Sequence, residues 1–181
     1  MSRSRVSGRI SDRSWRVIAE VALTGTGAIT FSAIPQSFTH LQIVGCIRSA
    51  SAASHAAAGL RLNADTGNNY DWTVNYSDSS TPLASNANGE SNAGFATKIV
   101  AASATAGKFS AFRLDLPNYR AAIHKALLTQ SGHAESGVAA VATVSTGMWR
   151  NTAAVTQIDF WDRTAGANSW ASGSALMLLG I

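Results

Sequence analysis

Period-two alternation of apolar and polar side chains runs through this chain and constrains its fold more than any other feature. Successive side chains of an extended strand point to opposite sides, so alternation marks a strand with one dry face and one wet face. In Trp15-Arg16-Val17-Ile18-Ala19-Glu20-Val21-Ala22-Leu23 the odd positions are mostly apolar, and Arg16 and Glu20 point the other way. Ile29-Thr30-Phe31-Ser32-Ala33, Leu60-Arg61-Leu62-Asn63-Ala64, Trp72-Thr73-Val74-Asn75-Tyr76 and Phe112-Arg113-Leu114-Asp115-Leu116 alternate in the same way. Such strands suit antiparallel sheets with one solvated side. Three further runs, Leu41 to Ile47, Val138 to Val144 and Ala175 to Leu179, are apolar enough to predict strands buried on both sides. Ala121 to Leu128 reads as strand rather than short helix, because the run is brief and follows the turn chemistry of Pro117-Asn118-Tyr119.

The punctuation between these runs is of the same kind. Gly25-Thr26-Gly27 separates the first two strands, and Pro35-Gln36 ends the second. Asp65-Thr66-Gly67-Asn68-Asn69 predicts a tight hairpin. Ser77 to Gly94 has almost no large apolar residue and predicts a long surface loop. Gly147 and Ala165-Gly166-Ala167-Asn168 mark later turns. The pattern gives about nine or ten strands and no helix, which predicts an antiparallel β-sandwich or jelly roll. There is no heptad repeat, so a coiled-coil shaft is excluded. The expected organisation is a basic, extended N-terminal arm over 1–14 and an all-β domain over 15–181.

Charge explains why the arm is set apart. Five of the fourteen basic residues, Arg3, Arg5, Arg9, Arg13 and Arg16, fall in residues 1–16, against Asp12 as the only acid there. Nine basic and nine acidic residues remain, so the body is neutral. A basic face on the body, the usual footprint of a nucleic-acid binder, is missing. Five arginines neutralise too few phosphates for firm binding at physiological salt, so an acidic protein surface is the expected partner. A chain of 181 residues buries roughly 70% of its unfolded surface and needs no covalent staples. Cys46, the single cysteine, excludes an internal disulfide and a multi-thiolate zinc site, and reads as a small buried hydrophobe. No run reaches the ~18 apolar residues of a membrane helix. The basic start lacks the apolar block of a secretory signal, so synthesis in the cytoplasm without a sequence-encoded address is expected.

Catalytic constellations are not apparent. His40, His55, His124 and His133 are far apart, with no metal-pair spacing among them. There is no nucleophile elbow, phosphate loop or dinucleotide fingerprint. Asp159 and Asp162 bracket Phe160-Trp161, and a glycosidase-like pair would have to be assembled in space. The expectation is a protein with no enzymatic activity, no cofactor and no metal. One oxygen-rich segment, Asp65 to Asp71, offers Asp65, Asn69 and Asp71 as calcium ligands, but its spacing departs from the EF-hand loop and a simple turn is preferred. Trp15, Trp72, Trp149, Trp161 and Trp170 read as core or interface fillers before they read as a sugar platform. If a surface-recognition loop exists, Asp65, Asn69, Tyr70, Asp71 and Trp72, with Tyr76 nearby, are its candidates.

Four segments, in order, resemble a group of tailed-phage minor structural proteins. These are Ile29 to Ile43, with its Phe-Ser-Ala-Ile-Pro-Gln core, the Arg61-Leu62-Asn63-Ala64-Asp65-Thr66-Gly67-Asn68-Asn69-Tyr70 turn, Gly147-Met148-Trp149-Arg150-Asn151-Thr152-Ala153-Ala154, and the ending Gly173 to Ile181. The resemblance spans about 15–181. It implies a β-sandwich virion protein similar to jelly-roll head decoration, cement or fibre proteins, which usually assemble as trimers. It carries no catalytic residue with it. It also implies a place on the virion, with the major capsid protein as partner, or as the alternative a glycan-binding head or tail fibre. On this reading Arg3, Arg5, Arg9 and Arg13 would make ion pairs across the capsid or a neighbouring subunit, with Val6 and Ile10 as apolar pegs.

Overall fold

The computed structural model describes residues 14–181 apart from 79, 80, 136, 137 and 166–168; of residues 78, 94–97, 135, 138 and 139 it describes the backbone alone. The predicted arm residues Arg3, Arg5, Val6, Arg9, Ile10 and Arg13 lie outside the described residues.

Among the described residues the chain forms twelve strands and no helix. They are β1 (Arg16–Ala22), β2 (Ile29–Phe31), β3 (His40–Ile47), β4 (His55–Leu62), β5 (Tyr70–Asp78) and β6 (Thr81–Glu90), followed by β7 (Ala93–Val100), β8 (Ser110–Pro117), β9 (Lys125–Glu135), β10 (Val138–Trp149), β11 (Ile158–Asp162) and β12 (Ala175–Gly180). Two antiparallel sheets result, an eight-stranded one ordered β1-β12-β3-β8-β9-β10-β5-β6 and a four-stranded one ordered β2-β11-β4-β7. The chain is thus an all-β sandwich, as the alternation predicts. Set aside the paired strands β5–β6 and β9–β10, and number the other eight in chain order. They run first, eighth, third, sixth in the large sheet and second, seventh, fourth, fifth in the small one.

The core is the space between the sheets. Ile29, Phe31, Leu60, Leu62, Ile158 and Phe160 of the small sheet meet Leu41, Ile43, Leu114, Leu116, Leu176 and Leu178 of the large one. Phe160 packs edge-on against Phe31 and Phe112, with ring centroids 6.4 and 5.5 Å apart, the arrangement that the ring quadrupole favours.

Several sequence expectations are corrected by long-range pairing. The stretch expected as a loop over Ser77 to Gly94 contains β6, an edge strand paired with β5 from Asp78↔Thr81 to Tyr70↔Glu90. It lacks alternation because most of its side chains face solvent, and backbone hydrogen bonds alone place it in the sheet. The turn at 65–69 does not close a hairpin. β4 belongs to the small sheet and β5 to the large one, so the turn carries the chain from one sheet to the other. Turn chemistry fixes where a chain reverses and leaves the choice of partner open. The strand expected from Ala121 begins only at Lys125, whose buried ammonium donates to the carbonyls of Ala121 (2.7 Å) and Ile123 (2.5 Å) in the preceding turn. Burial holds the Lys125 pKa below its ordinary value.

The three runs expected to be buried on both sides also differ. β3 and β12 bury alternate residues only, and in β10 Val141, Thr143 and Ser145 face inward while Val144 is 46% exposed. A β-bulge between Val17 and Ala19 turns Val17 outward, to 61% exposure, although its sequence position fits the dry face. Cys46 is half-buried on the outer side of β3 rather than in the core.

Gly45 shows how closely β3 and β12 approach. A Cβ there would lie 2.1 Å from the Ala175 carbonyl oxygen, and φ is +153°. Gly45→Ala is expected to destabilise the domain by at least the upper end of the ~1–3 kcal/mol typical of overpacking. The midpoint of denaturant unfolding measures this; an unchanged midpoint would contradict the close approach.

Candidate functional site

The predicted recognition loop is a structural joint. Asp65 accepts hydrogen bonds from the Gly67 amide (2.8 Å), the Asn69 side-chain amide (2.9 Å) and the indole N–H of Trp149 (2.7 Å). Desolvation pushes the Asp65 carboxyl up, but the hydrogen bonds from Trp149, Asn69 and Gly67 outweigh it, and the net pKa is lowered. Tyr70 is wholly buried and stacks near Trp149, at 6.4 Å and 18° between planes. Its hydroxyl accepts from the Leu62 amide (2.9 Å) and donates to the Leu62 carbonyl (3.3 Å), which ties β5 to β4 across the sandwich. Burial raises its pKa well above the usual phenol range. Asp71 accepts from the Gly89 amide (2.9 Å) and pairs with Arg150 (3.3 Å), which in turn donates to the Asn68 carbonyl (2.7 Å). Trp72 is 7% exposed, with the Arg163 guanidinium 4.9 Å from its ring centre.

Asp65, Asn69 and Tyr70 are therefore brought together, whereas Asp71 lies on the opposite side of β5 from Tyr70 and Trp72, and Trp72 packs against Arg163. Neither aromatic ring offers a stacking face to a solute, and the Asp65 oxygens already accept three protein donors. Among the described residues no group of three or more His, Cys, Asp or Glu side chains is placed to hold a metal ion.

Other chemistry-bearing residues are distributed as follows. Asp159 and Asp162, three apart on β11, point to opposite sides of the sheet. Asp162 is fully buried, where it accepts from the Ser49 hydroxyl and from the amides of Thr164 (2.8 Å) and Ala165 (2.9 Å). They cannot act on one substrate. His55 and His133, 78 positions apart, meet with their Nε2 atoms 3.2 Å apart, and Ser110 Oγ lies 3.2 Å from His133 Nδ1. The two residues come from β4 in one sheet and β9 in the other, so sequence spacing gives no sign of the pair. Trp149 and Trp170 are buried, as the core reading expects, whereas Trp15 is 43% exposed and Trp161 half-buried.

The largest surface feature is the outer face of the eight-stranded sheet. Pairing aligns one row across it, Met177, Val44, Arg113, Gln130, Val144, Asn75 and Ala84, and beside it Val17, Leu179, Gln42, Asp115, Leu128 and Thr146. Asp115 joins the middle of the face, accepting from Gln42 (2.7 Å) and pairing with Arg113 (2.9 Å). Uncovered apolar groups flank that polar centre, with Val17 on one side and Leu128, Val144 and Met148 on the other. Next to Val144, a hollow of about 350 Å³ is lined by Tyr76, Pro82, Leu83 and Ala142. The signal for this face is present in the sequence, as the second apolar side of the runs at 41–47, 138–144 and 175–179. No helix is long and apolar enough to cross a membrane among the described residues.

Compared with known proteins, the chain matches no family model, no curated protein and no solved structure.

Asp65→Ala leaves the Trp149 indole N–H without its acceptor and is expected to cost about 1–3 kcal/mol. Because the folded-state pKa is lowered, the contribution is complete above the unfolded carboxylate value of about 3.9. It is lost as pH falls through the folded value. Unfolding curves of wild type and Asp65→Asn should therefore converge in acid; a gap that persists there would contradict this role.

Proposed function

We propose that the protein is a non-enzymatic virion structural protein that decorates or cements the outside of a tailed-phage head. In this reading it is made in the host cytoplasm, assembles as a homotrimer and binds the major capsid protein. Contact runs through the outer face of the eight-stranded sheet and the basic segment at 1–14. The observation that carries the reading is the set of apolar groups on that face, Val17, Leu128, Val144 and Met148, left uncovered by the described residues. Exposed apolar groups on one sheet face mark a protein contact, and the polar and charged groups between them give it register. The neutral body and the concentration of arginine in the first sixteen residues agree with a protein partner. The strand order of the eight non-inserted strands is one we read as a jelly roll. The resemblance of four segments to phage minor structural proteins points the same way. Trimerisation adds avidity, since several weak attachments act as one.

Two changes test this. Val144→Glu with Leu128→Glu places charge on exposed positions of the face, so folding should be unaffected, while occupancy on capsids should fall at least about tenfold, equivalent to 1.4 kcal/mol. Deleting residues 1–14 should weaken attachment while leaving the unfolding transition unchanged. Full occupancy of purified particles by both variants would refute the reading.

A further inference from the structure

A second surface, on the opposite side of the sandwich, has different chemistry. Arg61 of β4 and Asp159 of β11 are direct cross-strand partners on the outer face of the small sheet. Opposite charges so placed ordinarily pair. Here no ion pair joins them. The Asp159 carboxylate is drawn to one side, accepting from the Thr30 hydroxyl (2.9 Å) and from the side-chain amide of Gln157 (2.9 and 2.8 Å). The Arg61 guanidinium is drawn to the other, lying 4.1 Å from the centre of the Trp161 ring, with its Nε donating to the Ser91 carbonyl (3.1 Å). Its two terminal nitrogens have no acceptor within the described residues. Between them is a hollow of about 320 Å³, with Thr66 on its wall.

The arrangement therefore presents fixed donors, a fixed acceptor and part of a half-buried indole to one small cavity. A phosphate or sulfate does not suit it, because Asp159 faces the same space and would repel an anion. An apolar ligand would strand the guanidinium and the carboxylate without water. A ligand bearing several hydroxyls suits it, since each hydroxyl both donates and accepts, and the C–H face of a pyranose packs against an aromatic ring. We propose that this hollow binds a neutral sugar ring. Arg61 donates to ring hydroxyls, Asp159 accepts from them through Oδ2, which takes one shared contact from Gln157 while Oδ1 takes two, and Trp161 supplies the apolar contact. Thr30 and Gln157 hold the carboxylate in place as positioning residues. The site lies on the opposite sheet from the proposed capsid contact and does not rest on that assignment. If both hold, a particle-bound copy would present the sugar site outward.

The test uses the full chain and a panel of methyl glycosides of glucose, galactose, mannose and N-acetylglucosamine. Saturation-transfer NMR and tryptophan fluorescence read binding. At least one glycoside should bind, with affinity in the millimolar range or better. Arg61→Met, which keeps the side-chain stem, and Asp159→Asn should each weaken it roughly tenfold or more. Trp161→Phe should reduce both the affinity and the fluorescence response. Thr30→Val, at an exposed position that tolerates the change, should fold normally and weaken binding less than Asp159→Asn. No binding across the panel would overturn the proposal, as would equal binding by wild type and the Arg61 and Asp159 variants. Capsid occupancy of these variants, expected to equal wild type, separates failure here from failure of the capsid reading.

Discussion

The structure depends on the contact between two sheets of unequal size. Side chains at every second position of β2, β4 and β11 interdigitate with those of β3, β8 and β12, and this buried layer is the main source of stability. Several of the polar groups that enter the interior do so where the chain crosses between sheets or turns, and are tied there. Arg48 donates to the carbonyls of Ala102, Ala104, Thr105 and Lys108. Asp162 accepts from Ser49 and two amides. Tyr70 and Asp65 fasten the β4–β5 crossing. Buried polar atoms of this kind are tolerated because their partners replace water.

The same inequality gives the molecule two unlike outer surfaces. Strands β5, β6, β9 and β10 widen one sheet to eight strands, and its outer face carries apolar side chains that nothing among the described residues covers. The small sheet is polar outside, where Arg61, Trp161 and Asp159 surround a hollow. An apolar face suits contact with protein, and a polar hollow with an aromatic wall suits a hydroxylated solute. The proposed division of labour between the two sheets rests on those compositions.

Much of the fold is legible in local sequence. Alternation reports which side chains face inward in Ile29 to Phe31, Leu60 to Leu62 and Phe112 to Leu116, but fails at Ala33 and Ala64, where the backbone leaves the strand at φ 52° and 54° and both side chains are exposed. Most of what misleads elsewhere is a non-local matter. β6 carries no apolar signal because only backbone hydrogen bonds to β5 define it. The doubly apolar runs read as buried twice, when one side is buried and the other exposed. The recognition loop read from Tyr70 and Trp72 turns inward because both rings fall on the core-facing register of β5.

Sequence by itself determined that this chain forms strands, where most of them turn, and that its charge is concentrated near the N-terminus. Those properties rest on the two-residue repeat of an extended backbone and on the conformational preferences of Gly, Pro, Asn and Asp, which act over a few residues. Tertiary structure alone decided that the Asp65 turn bridges two sheets, that His55 meets His133, and that Arg61 and Asp159 face each other across a hollow. Each of these follows from which strands pair, and pairing is selected by burial summed over the whole core rather than by any segment's own preference.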